Sequence, residues 1–358
     1  MSEIYNNNYY LVVSGPTWND AESNAINLGG HLVSINSQSE NDFIVEKFKD
    51  NSGLTVVRND GLPNYHFTYI GLYDDANGNF FWTDGSTVNW TNWAPTNPYD
   101  NGTGQGSWAS QITGIELDNY WAPSYAGKWI NGGANNHSGI AEIPLSYFSI
   151  SDLTIREGNS GNITISRTGG TNSAQNITLT SNNGTANAGS DYTAINTSIS
   201  FAAGETSKTF SVSTTDDSSS ESNETFTLTI TASNSDTVPA QITDGNATIT
   251  IDEAARVTGP SGSAGDSSSS KSINENTTAV HTFSANETVT WSLNGGADAS
   301  KFAINTATGA LTFSSAPNYE SPTDSDSGNN YVVVVRATDS PAILLIKQSL
   351  SQWPMLMK

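Results

Sequence analysis

Tyr69–Asn101 reads YIGLYDDANGNFFWTDGSTVNWTNWAPTNPYDN and holds three of the nine Trp of the chain, at positions 82, 90 and 93. Alternation in Phe80-Phe81-Trp82-Thr83, and again in Val88-Asn89-Trp90-Thr91, predicts short strands joined by Asn-Gly and Asp-Gly turns. A Pro-flanked loop follows. No other stretch is as aromatic, so a ligand-facing head is expected here. Asp75-Ala76-Asn77-Gly78-Asn79 has the opening of a calcium-loop motif. Its twelfth position is Ser86 rather than Glu and no helix flanks it, so it is read as a hairpin turn.

Around that stretch, residues 1–145 form one compositional block. Trp18, Trp82, Trp90, Trp93, Trp108, Trp121 and Trp129 all lie in it. Thr17–Leu28 places Trp18, Ala21, Ala25 and Leu28 at helical spacing and stops at Gly29-Gly30. Ser37 with Glu40 three residues on is a capping box, opening a second helix that buries Phe43, Ile44 and Phe48. His31–Ile35 between them predicts a strand. The block is α+β.

From about Ser146 the composition turns to Thr, Ser, Asn and Ile. Strands are predicted at Asn162–Arg167, Asn176–Thr180, Ser198–Phe201, Lys208–Ser213, Thr225–Thr231 and Ala247–Ile251, the rhythm of an antiparallel sandwich over 146–255. Residues 256–271 read as a linker, Gly/Ser-rich from Gly259 to Ser270. A third unit, 272–340, has strands predicted at Val280–Ser284, Val289–Leu293, Leu311–Ser314 and Tyr331–Ala337. Residues 341–358 break the pattern with Ile343-Leu344-Leu345-Ile346 and read as an atypical tail, truncated or frame-altered.

The 358 residues carry 13 basic and 35 acidic side chains, a net charge of -22. Such a surface repels nucleic-acid phosphates and anionic membranes and suits solvation or divalent cations. There is no Cys, hence no disulfide framework and no thiolate nucleophile. No apolar run approaches the ~18 residues of a membrane span, and Met1–Tyr10 lacks a signal-peptide core. The four His are scattered, and no phosphate loop, nucleophile elbow or HExxH motif occurs. A non-enzymatic protein is expected.

Residues 9–144 resemble a C-type lectin-like domain. The resemblance rests on Tyr9-Tyr10, Trp18–Ala25, His31–Ile35, Glu40–Phe43, Tyr69–Leu72, Phe81–Ser86, Asn92–Pro95, Gly127–Trp129 and Gly139–Ile143. The family's sugar site holds one Ca²⁺ through Glu-Pro-Asn or Gln-Pro-Asp, a further Glu, and an Asn-Asp pair after the Trp. Here those places read Asn97-Pro98-Tyr99, Ser107 and Ile130-Asn131, without a matched carboxylate; Asp100, Glu116 or Asp118 are the available substitutes. The resemblance implies binding of a glycan or protein through Asn97, Tyr99, Asp100, Asn101, Trp108, Trp121 and Asn131, or a purely structural head.

Residues 146–253 resemble a Calx-β domain through Arg156–Gly158, Ser166–Gly170, Gly184–Tyr192, Phe201–Phe210, Asp216-Asp217, Glu221–Phe226 and Ile251–Glu253. The resemblance implies Ca²⁺ held by Glu157, Asp191, Asp216, Asp217, Glu221, Glu224 and Asp252. Residues 272–339 resemble a cadherin-like repeat through Ile273–Asn276, Phe302–Leu311, Asn318–Pro322 and Val335–Asp339, with calcium-ligand matches at Glu275, Glu320 and Asp339. The expected protein is multidomain: an α+β lectin-like head, then all-β immunoglobulin-like sandwiches. Its expected role is extracellular or cell-surface adhesion and recognition, with a structural spacer as the alternative.

Overall fold

The computed structural model describes residues 2–56, 65–75, 79–95, 112–116, 126–131, 137–216, 222–253 and 255–339. Three units result, each with its own buried side chains.

In the head, helix α1 spans Trp18–Asn27, with the Thr17 hydroxyl accepting from the Asp20 N–H at its start. Ala21 and Ala25 are fully buried, while Trp18 and Leu28 are half-buried. Helix α2 spans Gln38–Phe48 and buries Ile44 and Phe48; Phe43 stacks on Tyr5 at 4.4 Å. The capping box is only half made. The Ser37 hydroxyl accepts from Glu40 N–H, but the Glu40 carboxylate turns to Asn36 N–H and the Tyr10 hydroxyl.

The head sheet runs in the order Ser2–Tyr5, Asn8–Val13, Gly139–Pro144, Tyr65–Asp74, Ile112–Glu116, Trp129–Asn131, with Phe80–Trp82 pairing Tyr65–Asp74. Asn8–Val13 and Gly139–Pro144 are antiparallel neighbours, which ties the two ends of the head together. Asp75 and Asn79 close the hairpin between Tyr65–Asp74 and Phe80–Trp82, the Asp75 N–H donating to the Asn79 carbonyl and the Asn79 N–H to the Asp75 carboxylate. Two expectations fail. Of His31–Ile35 only His31–Leu32 is a strand. Residues 85–92 form none, because the backbone that follows pairs with one residue instead: Asn92 and Ala94 bond the N–H and carbonyl of Trp129.

The second unit is a two-sheet sandwich. One sheet orders Ser207–Ser213, Ser160–Gly169, Ser146–Ile150 and Gln241–Asp244; the other, Leu153–Arg156, Asn246–Asp252, Glu224–Ala232, Gln175–Asn183 and Asn196–Phe201. All six strands expected here are present. Their period of two puts Ile163 and Ile165, Ile177 and Leu179, and Phe226, Leu228 and Ile230 inward, with Thr and Ser outward. Ser146–Ile150, Leu153–Arg156 and Gln241–Asp244 were not anticipated.

In the third unit, Ala279–Thr282, Ala310–Phe313 and Phe302–Ile304 pair as one sheet and Val289–Leu293 pairs Val335–Asp339 around Trp291, Phe302, Phe313 and Tyr331. Tyr331–Val334 is not strand; pairing begins at Val335. The linker expectation needs correcting at its start. Val257–Thr258 pairs Ser284–Ala285, and Val257 is buried in the third core, so the chain enters the third unit almost at once. The Gly/Ser stretch itself turns back on hydrogen bonds between Ser261 and Ser269 and from Gly265 N–H to the Val257 carbonyl. Residues 340–358, including the atypical tail, lie outside the described residues.

Candidate functional site

Asn97, Tyr99, Asp100, Asn101, Trp108 and Trp121 lie outside the described residues, as do Ser107 and Asp118. Asn131 ends the strand Trp129–Asn131, and its side chain, like that of Glu116, is also outside them. What is described is the platform beneath that region. Trp129 is fully buried, and Trp82, Trp90 and Trp93 meet its ring edge-on at 5.6, 5.3 and 5.8 Å. Its Nε1 donates to the Asn41 Oδ1 at 2.9 Å, and Asn41 Nδ2 donates to the Gly127 carbonyl at 3.1 Å. Lys128 Nζ donates to Asn92 Oδ1. These Trp are scaffold.

Sequence reasoning missed a buried acid pair in the head. Tyr10, fully buried, points its hydroxyl at Glu40 Oε1, 2.9 Å away, and at Glu142 Oε1, 3.0 Å away. Glu142 also accepts from Asn8 Nδ2 and Ser34 N–H. One hydroxyl proton cannot serve two carboxylates, so the arrangement is complete when Glu142 carries a proton of its own. Burial, then the Glu40 charge, pushes the Glu142 pKa up to about 7. The same burial and both carboxylates raise that of Tyr10. The sequence signal was available: Tyr10 stands in the apolar run Tyr9–Val13 and Glu142 among apolar neighbours. Glu22 is comparable, its carboxylate buried between Leu32 N–H and His31 Nδ1.

Five of the seven expected calcium acids, Glu157, Asp191, Asp216, Glu224 and Asp252, are described and lie on adjoining loops and strand ends of the second unit. Arg156 pairs Asp252 in register, and Glu157 N–H donates to the Asp252 carbonyl. Glu224 lies opposite Ile251 on the neighbouring strand. Thr215 N–H donates to the Asp191 carbonyl, which brings Asp216 alongside. Gly158 adopts φ +72°, and a Cβ there would lie 2.8 Å from that of Asp216, so only glycine lets the two loops touch. Asp217 and Glu221 lie outside the described residues.

Calcium takes 6–8 oxygens, several charged. The carboxylate donors here suit it in kind. Asp191 Oδ2 accepts from the Asn187 N–H at 2.6 Å, which orders that loop beside Thr215. Two features stand against a ready-made site. Among the described residues no three His, Asp or Glu are set close enough to hold a metal ion. The Glu157–Asp216 edge is moreover occupied by Arg256, whose Nη2 lies 2.8 Å from Asp216 Oδ1 and 3.4 Å from Glu157 Oε2. Asp252 Oδ1 accepts from Asn223 Nδ2. In the third unit, Glu275 braces a turn through Tyr319 N–H, and the Asp339 side chain is outside the described residues.

Comparison with known proteins divides the chain similarly. Residues 14–113 match the Lectin C-type domain and residues 141–255 the Calx-beta domain. The chain is 39% identical over 104 residues to the alpha-N-acetylgalactosamine-specific lectin of Patiria pectinifera, covering 27% of this chain and 56% of that protein. It is 36% identical over 99 residues to a lectin of Pleurodeles waltl, covering 26% and 52%. The chain thus spans about half the length of these lectins. The crystal structure of an apo-form Calx CBD1 domain aligns with 31% of this chain and 98% of that one, at 19% identity and a TM-score of 0.28. The family matches give the order of the parts: a region matching the Lectin C-type domain is followed by one matching the Calx-beta domain.

Proposed function

We propose that this is a non-enzymatic recognition protein of the extracellular space or cell surface. Its lectin-like head binds a glycan, and its calcium-binding Calx-beta unit and third, cadherin-like unit form a stalk. The reading is supported by the head: a buried Trp cluster around Trp129, with the lectin-family match over residues 14–113. The loop Asn97-Pro98-Tyr99 lacks the paired acids of a calcium-held sugar, so contact falls to Tyr99, Trp108, Trp121 and the Asn side chains. On a glycan array the full chain is expected to bind with unchanged strength in EDTA. Binding abolished by EDTA assigns the head to calcium-dependent sugar recognition, and silence on the array leaves the spacer role.

Calcium belongs to the second unit, held by Glu157, Asp191, Asp216, Asp217, Glu221, Glu224 and Asp252. A ligand at a hundred times its Kd stabilises the folded state by about 2.7 kcal/mol. Millimolar Ca²⁺ is therefore expected to raise the Tm of the second unit by several degrees, and Glu224→Gln to abolish the shift. An unchanged Tm in the wild-type chain removes the calcium reading.

A further inference from the structure

Arg256 belongs by its backbone to one unit and by its side chain to another. Its N–H donates to Asn286 Oδ1 at 2.7 Å, and the next residue, Val257, pairs with Ala285 and is buried in the third core. Its guanidinium reaches back into the second unit, where Asp216 Oδ1 and Glu157 Oε2 accept from Nη2. The Arg256 side chain is 11% exposed and that of Glu157 only 4%. Residues 146–255 contain just Arg156, Arg167 and Lys208 as basic residues. Arg167 is committed elsewhere, to Ser146, Ser173 and Ala202, and Lys208 to Glu205. The third unit thus adds a positive charge to an acidic edge where the second unit's own segment carries Arg156.

We infer that Arg256 is a built-in counter-ion that competes with divalent cations for Glu157 and Asp216, so that cation binding there and the latching of the third unit onto the second exclude one another. A carboxylate as enclosed as Glu157 requires a charged partner. One guanidinium carries a single positive charge against two carboxylates, whereas a divalent ion neutralises both. The ion also needs the very oxygens that Nη2 occupies. Metal entry therefore requires Arg256 to withdraw, which frees the chain at the junction. Linkage makes the effect reciprocal: a latched third unit weakens the metal by the factor by which metal loosens the latch.

The inference rests on the calcium reading above, and its test separates the two. Calcium is titrated calorimetrically into the full chain and into Arg256→Gln, which keeps a polar side chain and removes the charge. The variant is expected to bind about tenfold more tightly, within the ordinary range of coupling between sites. Because the chain has no Cys, Ser198→Cys and Ser315→Cys, both at exposed positions, allow a clean spin-label pair across the junction. Calcium is expected to broaden the label distance in the wild-type background, and Arg256→Gln to show the broad distribution already in EDTA. Equal or weaker calcium binding by Arg256→Gln overturns the competition while leaving the calcium site standing. A distance distribution that ignores both calcium and the substitution overturns the latch. Absence of binding to either chain overturns the calcium reading and the competition with it.

Discussion

Trp129→Ala is expected to unfold the head while leaving the second unit intact. The ring is fully buried and shares edges with three other Trp, so truncation removes a large apolar volume at the centre of one core. Such Trp→Ala changes cost about 3–5 kcal/mol. A second loss adds to it. Asn41 Oδ1 accepts from the indole, and in the variant that buried oxygen has no donor, a penalty of about 1–3 kcal/mol. The sum is comparable with the whole stability of a domain, about 5–15 kcal/mol. Hydrogen exchange read peptide by peptide is the appropriate measurement, because a three-unit chain does not melt as one two-state body. Peptides from 9–56 and 137–144 are expected to lose protection, and those from 175–183 and 224–232 to keep it. Trp129→Phe, which loses the indole bond but fills most of the volume, falls between. Unchanged protection in the head of Trp129→Ala contradicts the assignment of Trp129 as its keystone.

Glu142 gives the head a pH dependence of the opposite sign to the usual carboxylate. Its folded pKa is about 7, against about 4.3 for an unfolded Glu. The folded head therefore holds more protons than the unfolded chain between those values, and stability falls as pH rises. The contribution is complete below about pH 4.3 and lost once pH passes about 7. A shift of this size is worth about 4 kcal/mol. Denaturation in EDTA at pH 5.5 and pH 8 is expected to show a more stable head at the lower pH. Glu142→Gln mimics the protonated carboxyl and is expected to flatten the difference. A wild-type head more stable at pH 8 contradicts the shared-proton arrangement of Tyr10, Glu40 and Glu142.

The sequence resolved the repetitive parts of the fold and missed those fixed by distant partners. Both helices were legible because Thr17 and Ser37 announce their starts and the small or apolar residues recur at helical spacing. The six sandwich strands were legible because Ile and Leu alternate with Thr. Ser146–Ile150 escaped notice because it continues the head's last strand with only Leu145 between, so composition marks no new start. The Val88–Thr91 alternation misled, since Val88 and Trp90 pack on the head core without their backbone entering a sheet. At the acidic edge the ligand types were readable, but Arg256 was not. Its role depends on a fold-back that brings residues 40 and 99 positions away beside it, and no local pattern records that.

The run from Gly139 through Ile150 couples the head to the sandwich mechanically. It leaves the head sheet and enters the sandwich with a single intervening residue, Leu145, whose N–H donates to the Asn7 carbonyl and whose own carbonyl accepts from Gly170 N–H. Val238 of the second unit is buried among Ala21, Ala25 and Ile143 of the head. There is no swivel at this joint. A pull applied to the head passes along Gly139–Pro144 and Leu145 into the ladders that Ser146–Ile150 makes with Ser160–Gly169 and Gln241–Asp244. Those hydrogen bonds are loaded together in shear rather than unzipped singly, so the joint resists a pull along the chain axis.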